Sequence, residues 1–271
     1  MIDENKPLNR LAALLAGGGV ATSLVIRSSR GVEIVAQAAA SGFDSLYVDL
    51  EHAPLSMSET GAICVAARLS GVTPLVRVPE GRLDLIGTVL DGGAQGVIVP
   101  HISSAADARE AVTCARFPPH GHRSVAGPAI QLGYRPLPLA EATHLLNDAT
   151  MVVAMIESRA AIDAVEEIAA VEGIDMMLVG SNDLLADLGH VGEYDHPDLE
   201  AAFDRVLAAG ARHGVPVGVG GLAARPDLAC RQVRSGARYV SVGTDTALLM
   251  RGAKAALADL ALEALGGGAH D

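Results

Sequence analysis

The stretch GFDSLYVDL, residues 42–50, opens on a glycine, runs through a short β-rich core and reaches a carboxylate at Asp49. The phrase returns as GAQGVIVPH (93–101), GIDMMLVGS (173–181) and GARYVSVGT (236–244). Each glycine stands where a left-handed residue ends a helix, and each run leads into a polar or glycine-containing turn. Four plainer runs lie between them: ATSLVIR (21–27), TPLVRV (73–78), MVVAMIE (151–157) and VPVGVG (215–220). That makes eight strands. They are apolar along their length rather than alternating, as strands covered on both faces are in a parallel sheet. The segments between them, 31–41, 58–69, 82–92, 104–114, 160–171, 198–213 and 225–235, are alanine-rich with helical spacing. Strand–helix alternation reads as α/β. Eight strands in 271 residues favour a closed (β/α)8 TIM barrel over an open doubly wound sheet. No Gly-x-Gly-x-x-Gly or Walker-type loop follows the first strand, which weakens a nucleotide-binding reading. No composition break divides the chain. Residues 1–271 therefore read as a single barrel domain, with the barrel over about 20–246 and a C-terminal helix over about 247–265.

Half the residues are apolar, aromatics are 3% and tryptophan is absent, so the core must be built from Ala, Val, Leu and Ile. Twenty basic against 32 acidic side chains give a formal charge of −12. That charge argues against nucleic acid or an anionic membrane as partner, while leaving room for an anionic small molecule in a locally positive site. Cys64, Cys114 and Cys230 are scattered and odd in number, as expected of reduced thiols in a cytoplasmic protein rather than a disulfide framework. The opening MIDENKPLNR lacks the apolar core of a secretory signal, and no run approaches the length of a membrane span.

Chemistry in such a barrel belongs to the C-terminal ends of the strands. Those ends carry Arg27, Asp49, Glu51, His52, Arg77, His101, Glu157, Ser181, Asn182, Asp183 and Asp245. Glu157 and Asp183 end two very apolar strands, and a buried carboxylate has to be paired, protonated or bound to a metal. Two carboxylates with no Cys or His at ligand spacing suit a hard divalent cation that keeps several waters, Mg²⁺ or Mn²⁺. The alternative is that each caps the helix behind it. Arg77 can grip a carboxylate at two points, or pair with a neighbouring acid such as Glu80. His52 can act as an acid or base near neutral pH, or be a hydrogen-bonded loop residue. His120 and His122 sit in a Pro/Gly-rich loop with no third ligand near them in sequence. The longest interruption is 117–150, and contacts to the variable part of a substrate are expected from it and from the subunit interface.

Taken together, GFDSLYVDLEHAP, VRVPEGRLDLIGTVLDGGAQGVIVPHISSAADAREAV, RFPPHGHRSVAG, MIESRAAIDAVEEIAAVEGIDMMLVGSNDL and GARYVSVGTDTALL resemble the HpcH/HpaI family over roughly residues 20–250. These are class II, metal-dependent pyruvate aldolases, such as 4-hydroxy-2-oxoheptanedioate aldolase and the 2-keto-3-deoxy sugar-acid aldolases. The resemblance implies a carbon–carbon lyase that cleaves or forms the C3–C4 bond of a 4-hydroxy-2-oxo acid, through a pyruvate enolate and an aldehyde partner. It places the metal, Mg²⁺ with Mn²⁺ or Co²⁺ as alternatives, on Glu157 and Asp183. It makes Arg77 the pyruvate-binding arginine and His52 the proton carrier, supported by Asp91, with Ser181, Asn182 and Asp183 meeting the pyruvate carboxylate. It also implies a hexamer, a dimer of trimers, with the C-terminal helix packed on a neighbouring subunit. Two stretches depart from the family pattern. Met155 stands where many members have Gln, and GSNDL stands where many read GPADL. They leave open a citrate-synthase-like enzyme acting on oxaloacetate, and a non-catalytic barrel binding a small acid is the third reading. The chain's two lysines, Lys6 and Lys254, lie near its ends, so no strand-end lysine is available for a Schiff base.

Overall fold

The computed structural model describes residues 7–127 and 129–260. Eight parallel strands close in sequence order into one barrel. They are β1 (Ala21–Ile26), β2 (Ser45–Asp49), β3 (Thr73–Arg77), β4 (Gly96–Val99), β5 (Met151–Ile156), β6 (Met176–Gly180), β7 (Val217–Gly220) and β8 (Tyr239–Thr244). All eight fall on the strands expected from sequence, and the fold is a TIM barrel. The helices among the described residues are α1 (Arg10–Ala16), α2 (Glu33–Ala40), α3 (Met57–Leu69), α4 (Leu85–Asp91), α5 (Ala105–Ala115) and α6 (Leu139–Ala149), followed by α7 (Arg159–Asp163), α8 (Val165–Ala169), α9 (Ser181–Asp187), α10 (Pro197–His213), α11 (Pro226–Ser235) and α12 (Asp245–Asp259). Residues 261–265 of the expected C-terminal helix, and Lys6, lie outside the described residues.

Period-two alternation sorts each strand into an inward and an outward row. Outward residues such as Val48, Val76 and Val152 pack under the helices. Inward residues, among them Tyr47, Leu75, Val153, Met155, Leu178 and Tyr239, fill the barrel. Large inward side chains demand small neighbours. A Cβ on Gly96 would meet Met151 O at 2.7 Å, and one on Gly218 would stand 2.9 Å from Leu178 and 3.1 Å from the buried Tyr239.

The sequence reading assigned nothing to residues 10–16, and the structure gives them a purpose. Leu11 and Leu15 of α1 are buried against Ala21, Met151 and the rest of the barrel interior, closing its N-terminal end. Asn9 fastens this plug. Its Oδ1 accepts from Ala12 N, capping α1, while Nδ2 donates to Gln95 O (3.0 Å) and Ala149 O (2.8 Å), just before β4 and β5 begin.

The 117–150 segment does not reach the strand ends of its own chain. Arg116, ahead of it, donates to Asn147 O and Thr150 O, immediately before β5. Gln131 donates to Leu90 O and Ala94 O, just before β4. Phe117, Leu132, Ala142 and Leu146 bury one another beneath these contacts, the last two from α6. The segment therefore covers the N-terminal face, away from its own strand ends. The reason is topological: α5 returns the chain to the strand starts, and the long connection continues from there.

Replacing Asn9 by alanine removes the cap and both Nδ2 donations, leaving Gln95 O with the Met151 amide alone. The expected cost is about 2–4 kcal/mol of unfolding free energy, read as a lower urea midpoint with an unchanged slope.

Candidate active site

Register builds one wall of the site. Asp49 stands directly opposite Arg77 across β2 and β3, and Ile26 stands opposite Val48, which brings Arg27, one residue beyond β1, level with Asp49. The fully buried Asp49 carboxylate takes Arg77 Nε on Oδ1 at 2.9 Å and Arg77 Nη2 on Oδ2 at 2.6 Å. Arg27 Nε donates to the same Oδ2 at 2.7 Å. The backbone N–H groups of Glu51 and His52 donate to Oδ1, so Asp49 also shapes the turn that carries the histidine. The remaining Arg77 nitrogen, Nη1, lies 2.7 Å from Glu51 Oε2. The salt bridge considered with Glu80 is thus made with Asp49 and Glu51 instead. Burial pushes the Asp49 carboxyl up, but the hydrogen bonds and charge of Arg77 outweigh it and hold it below the usual carboxylate range.

The opposite wall is built differently. Glu157 continues the inward row of Met151, Val153 and Met155 and is 2% exposed. Its Oε1 accepts from the backbone N–H of His101 at 2.7 Å, with His101 Nδ1 at 3.2 Å. His101 is held at φ 53°, uncommon for a residue with a side chain and frequent where backbone serves a site. The other oxygen, Oε2, is buried without a hydrogen-bond partner. Burial pushes the Glu157 carboxyl up; the His101 contacts oppose this, and the neighbouring charges of Asp183 and Glu51 reinforce it. Neither acid is a helix cap. Ser158 caps α7 through its own Oγ, and Asp183 lies inside the first turn of α9 without capping it.

Backbone completes this wall. A Cβ on Gly180 would stand 2.6 Å from Glu157 Oε2, so the glycine leaves the orphaned oxygen its space. Gly221, at φ +79°, does the same for two amides: a Cβ there would lie 3.2 Å from Ser181 N and 3.1 Å from Asn182 N. Ser181 is buried with its hydroxyl unpartnered, and Asn182 Oδ1 accepts from Tyr194 Oη at 2.8 Å. A buried, unpartnered carboxylate oxygen beside a second, uncapped carboxylate is an oxygen donor set that fits a hard divalent cation and waters.

Between the walls lies a cavity of about 380 Å³ that Arg27, His52, Arg77, Asn182, Asp183 and Tyr194 help to line. No lysine lines it; Lys254 belongs to α12. Met155, where the sequence departs from the family pattern, contributes to its floor with its sulfur 4.0 Å from Tyr47 Oη. The structure does not join Asp91 to His52 within the chain. Asp91 ends α4 at the N-terminal face, where its carboxylate binds Arg123 Nη2 at 2.7 Å. His52 is half-exposed at the C-terminal face, its Nε2 3.9 Å from Glu51 Oε2. Sequence reasoning gave no role to Asp49 or Tyr194. The signal for Asp49 was its position at a strand end level with Arg77; Tyr194, in the α9–α10 connection, had none.

Known proteins agree with this architecture. The family model described as HpcH/HpaI aldolase/citrate lyase matches residues 25–252. The 4-hydroxy-4-methyl-2-oxoglutarate aldolase tasA of Hapsidospora irregularis is 42% identical over 248 residues, covering 90% of this chain and 92% of its own. The 4-hydroxy-2-oxo-heptane-1,7-dioate aldolase of Salmonella typhimurium strain LT2 is 37% identical over 240 residues, 89% of each chain. Among solved structures, the citrate synthase SbnG superposes with a TM-score of 0.82 at 27% identity, covering 95% of this chain and 99% of that one.

A glutamate whose folded pKa is raised disfavours the fold above its unfolded pKa, so the metal-free protein loses stability as pH rises through that interval. Glu157→Gln should flatten this loss and leave the metal-free protein at least as stable as wild type near neutrality. A cation bound only by the fold adds about 2.7 kcal/mol at a hundredfold excess over its Kd. Thermal melts with and without Mg²⁺ should show that gain in the wild type and none in Glu157→Gln.

Proposed function

The chain belongs to the HpcH/HpaI aldolase/citrate lyase family, a family of metal-dependent enzymes, and we propose that it cleaves and forms the C3–C4 bond of a 4-hydroxy-2-oxo acid at the cavity between Arg77 and Glu157. The observation that carries the reading is the buried Glu157 oxygen without a partner, facing the open backbone of Gly180 beside Asp183. Glu157 and Asp183 would hold the divalent cation, Mg²⁺ being the first choice for an oxygen donor set. When bound, it supplies Lewis acidity to the carboxylate and keto oxygens of the 2-oxo acid.

The chain's own groups do the rest. The amides of Ser181 and Asn182, kept clear by Gly221, face the donor carboxylate. Arg77, fixed by Asp49 and Glu51, keeps its remaining N–H donors for the oxygen that gains charge. In the cleavage direction His52 accepts the proton of the C4 hydroxyl. The C3–C4 electron pair moves into the donor half as an enolate, C4 becomes a carbonyl carbon, and C3 is then reprotonated to give pyruvate. With no lysine in the cavity, the residues supply no Schiff-base route.

The assembly is part of the proposal. Asp91 and the 117–150 segment lie on the face opposite the cavity, so they can serve His52 and the acceptor only from a neighbouring subunit. Leu249 and Leu257 of α12 are 72% and 58% exposed, which suits a helix packed on another copy in a dimer of trimers. No described helix is long and apolar enough to cross a membrane, and the described cysteines are unpaired, in keeping with a cytoplasmic enzyme. The likeness to SbnG keeps one second reading, condensation on oxaloacetate.

Pyruvate incubated in D₂O with the Mg²⁺-loaded protein should lose its methyl proton signal by NMR. EDTA and Glu157→Ala should abolish the exchange, and His52→Ala should slow aldol cleavage by about 10²–10⁴-fold. No exchange with any divalent metal, together with turnover of oxaloacetate and acetyl-CoA, would replace the aldolase reading with the synthase one.

A further inference from the structure

Resting on the aldolase reading, we infer that Arg27 is a specificity residue that binds a carboxylate on the acceptor half of the substrate, which makes the substrate a 4-hydroxy-2-oxo dicarboxylic acid. The acceptor is then a short oxo acid rather than a neutral aldehyde.

Two guanidinium groups line the cavity, and they are committed to different degrees. All three nitrogens of Arg77 are engaged, Nε and Nη2 with Asp49 and Nη1 with Glu51, and the residue is 2% exposed. Arg27 gives only Nε to Asp49, its side chain is 39% exposed, and its Nη groups donate to no other described residue. Asp49 therefore fixes the guanidinium at one edge and leaves the planar Nη fork for a ligand. That fork matches a carboxylate at two points.

Its place in the barrel says which end of the substrate it meets. Arg27 follows β1 and Glu157 follows β5, four strands away in either direction round the closed barrel. A 2-oxo acid seated at Glu157, Asp183 and the Ser181–Asn182 amides extends its C4 substituents away from them, toward the β1–β8 wall. Gly243 of β8, with the small side chains of Ala223 and Ala224 just after β7, leaves that side open, and Arg27 is its cation. A neutral acceptor would leave the fork facing water, whereas a carboxylate there completes it.

The test compares two substrates that share a donor half. The specificity constant kcat/KM is measured for 4-hydroxy-4-methyl-2-oxoglutarate, which carries the second carboxylate, and for 4-hydroxy-2-oxopentanoate, which lacks it. The wild type should prefer the dicarboxylate. Arg27→Leu should reduce that preference about 30–300-fold, chiefly through KM, and Arg27→Lys should restore part of it. If Arg27 serves only to brace Asp49, both substrates fall together and the ratio stays constant, which overturns the inference. Calorimetric binding of 2-oxoglutarate against 2-oxopentanoate with Mg²⁺ gives a reading that needs no turnover. A tenfold or greater preference for 2-oxoglutarate that Arg27→Leu abolishes upholds Arg27, and equal affinities overturn it. If the aldolase reading itself fails, no deuterium enters pyruvate and neither hydroxy acid is cleaved, while the binding comparison still decides the role of Arg27.

Discussion

The upper end of this barrel is organised by the need to neutralise carboxylates that the strands carry into an apolar interior. Asp49 and Glu157 both occupy inward positions at strand ends, and both are almost fully buried. Desolvation alone would leave each protonated or force it out. Asp49 is met by protein: two arginines and two backbone amides converge on it, and β2–β3 register sets its contact with Arg77. Glu157 is met only in part, by one amide and one side of His101. The difference separates a carboxylate satisfied by protein from one left with an unpartnered oxygen. Stability alone would be better served by treating Glu157 as Asp49 is treated.

How much of this was legible in the chain depends on range. The strands are written in local patterns, continuous apolar runs, four of them opened by a glycine, and the closed barrel follows from their number. The strand-end residues were legible for the same reason, since each apolar run stops at a named polar residue, whereas the pairing of Arg77 with Asp49 is set by β2–β3 register, which no single run contains. What was not legible is long-range. Nothing local in RLAALLA says that Leu11 and Leu15 close the barrel floor, because an open barrel end is a property of the assembled strands. Nothing local in FPPHGHRS says which face it covers. That follows from α5 having already returned the chain to the strand starts.

The pairing of Asp91 with His52 fails within one chain for that topological reason, and the failure is informative. Helices run back against the strands, so the end of α4 and the end of β2 lie at opposite faces however the side chains turn. The contact Asp91 does make, to Arg123, ties the last residue of α4 to the long segment beneath the barrel. A role for Asp91 in catalysis then requires a second copy whose lower face meets this cavity.

The charges give the cavity its division of labour. On the β1–β3 side, Arg27 and Arg77 balance Asp49 and Glu51, so that wall is neutral before anything binds. On the β5–β6 side, Glu157 and Asp183 bring two carboxyl groups together, and no arginine or lysine of that side is among the cavity-lining residues. The first wall is completed by protein, and in the proposed function the second is the wall that a divalent cation would complete. The substrate inferred above, with a carboxylate at each end, would meet both, the second wall holding the half that accepts electrons and the fork of Arg27 the half that leaves. Binding energy collected at Arg27 is remote from the breaking bond, and such remote contacts can hold the C4 hydroxyl where His52 can reach its proton.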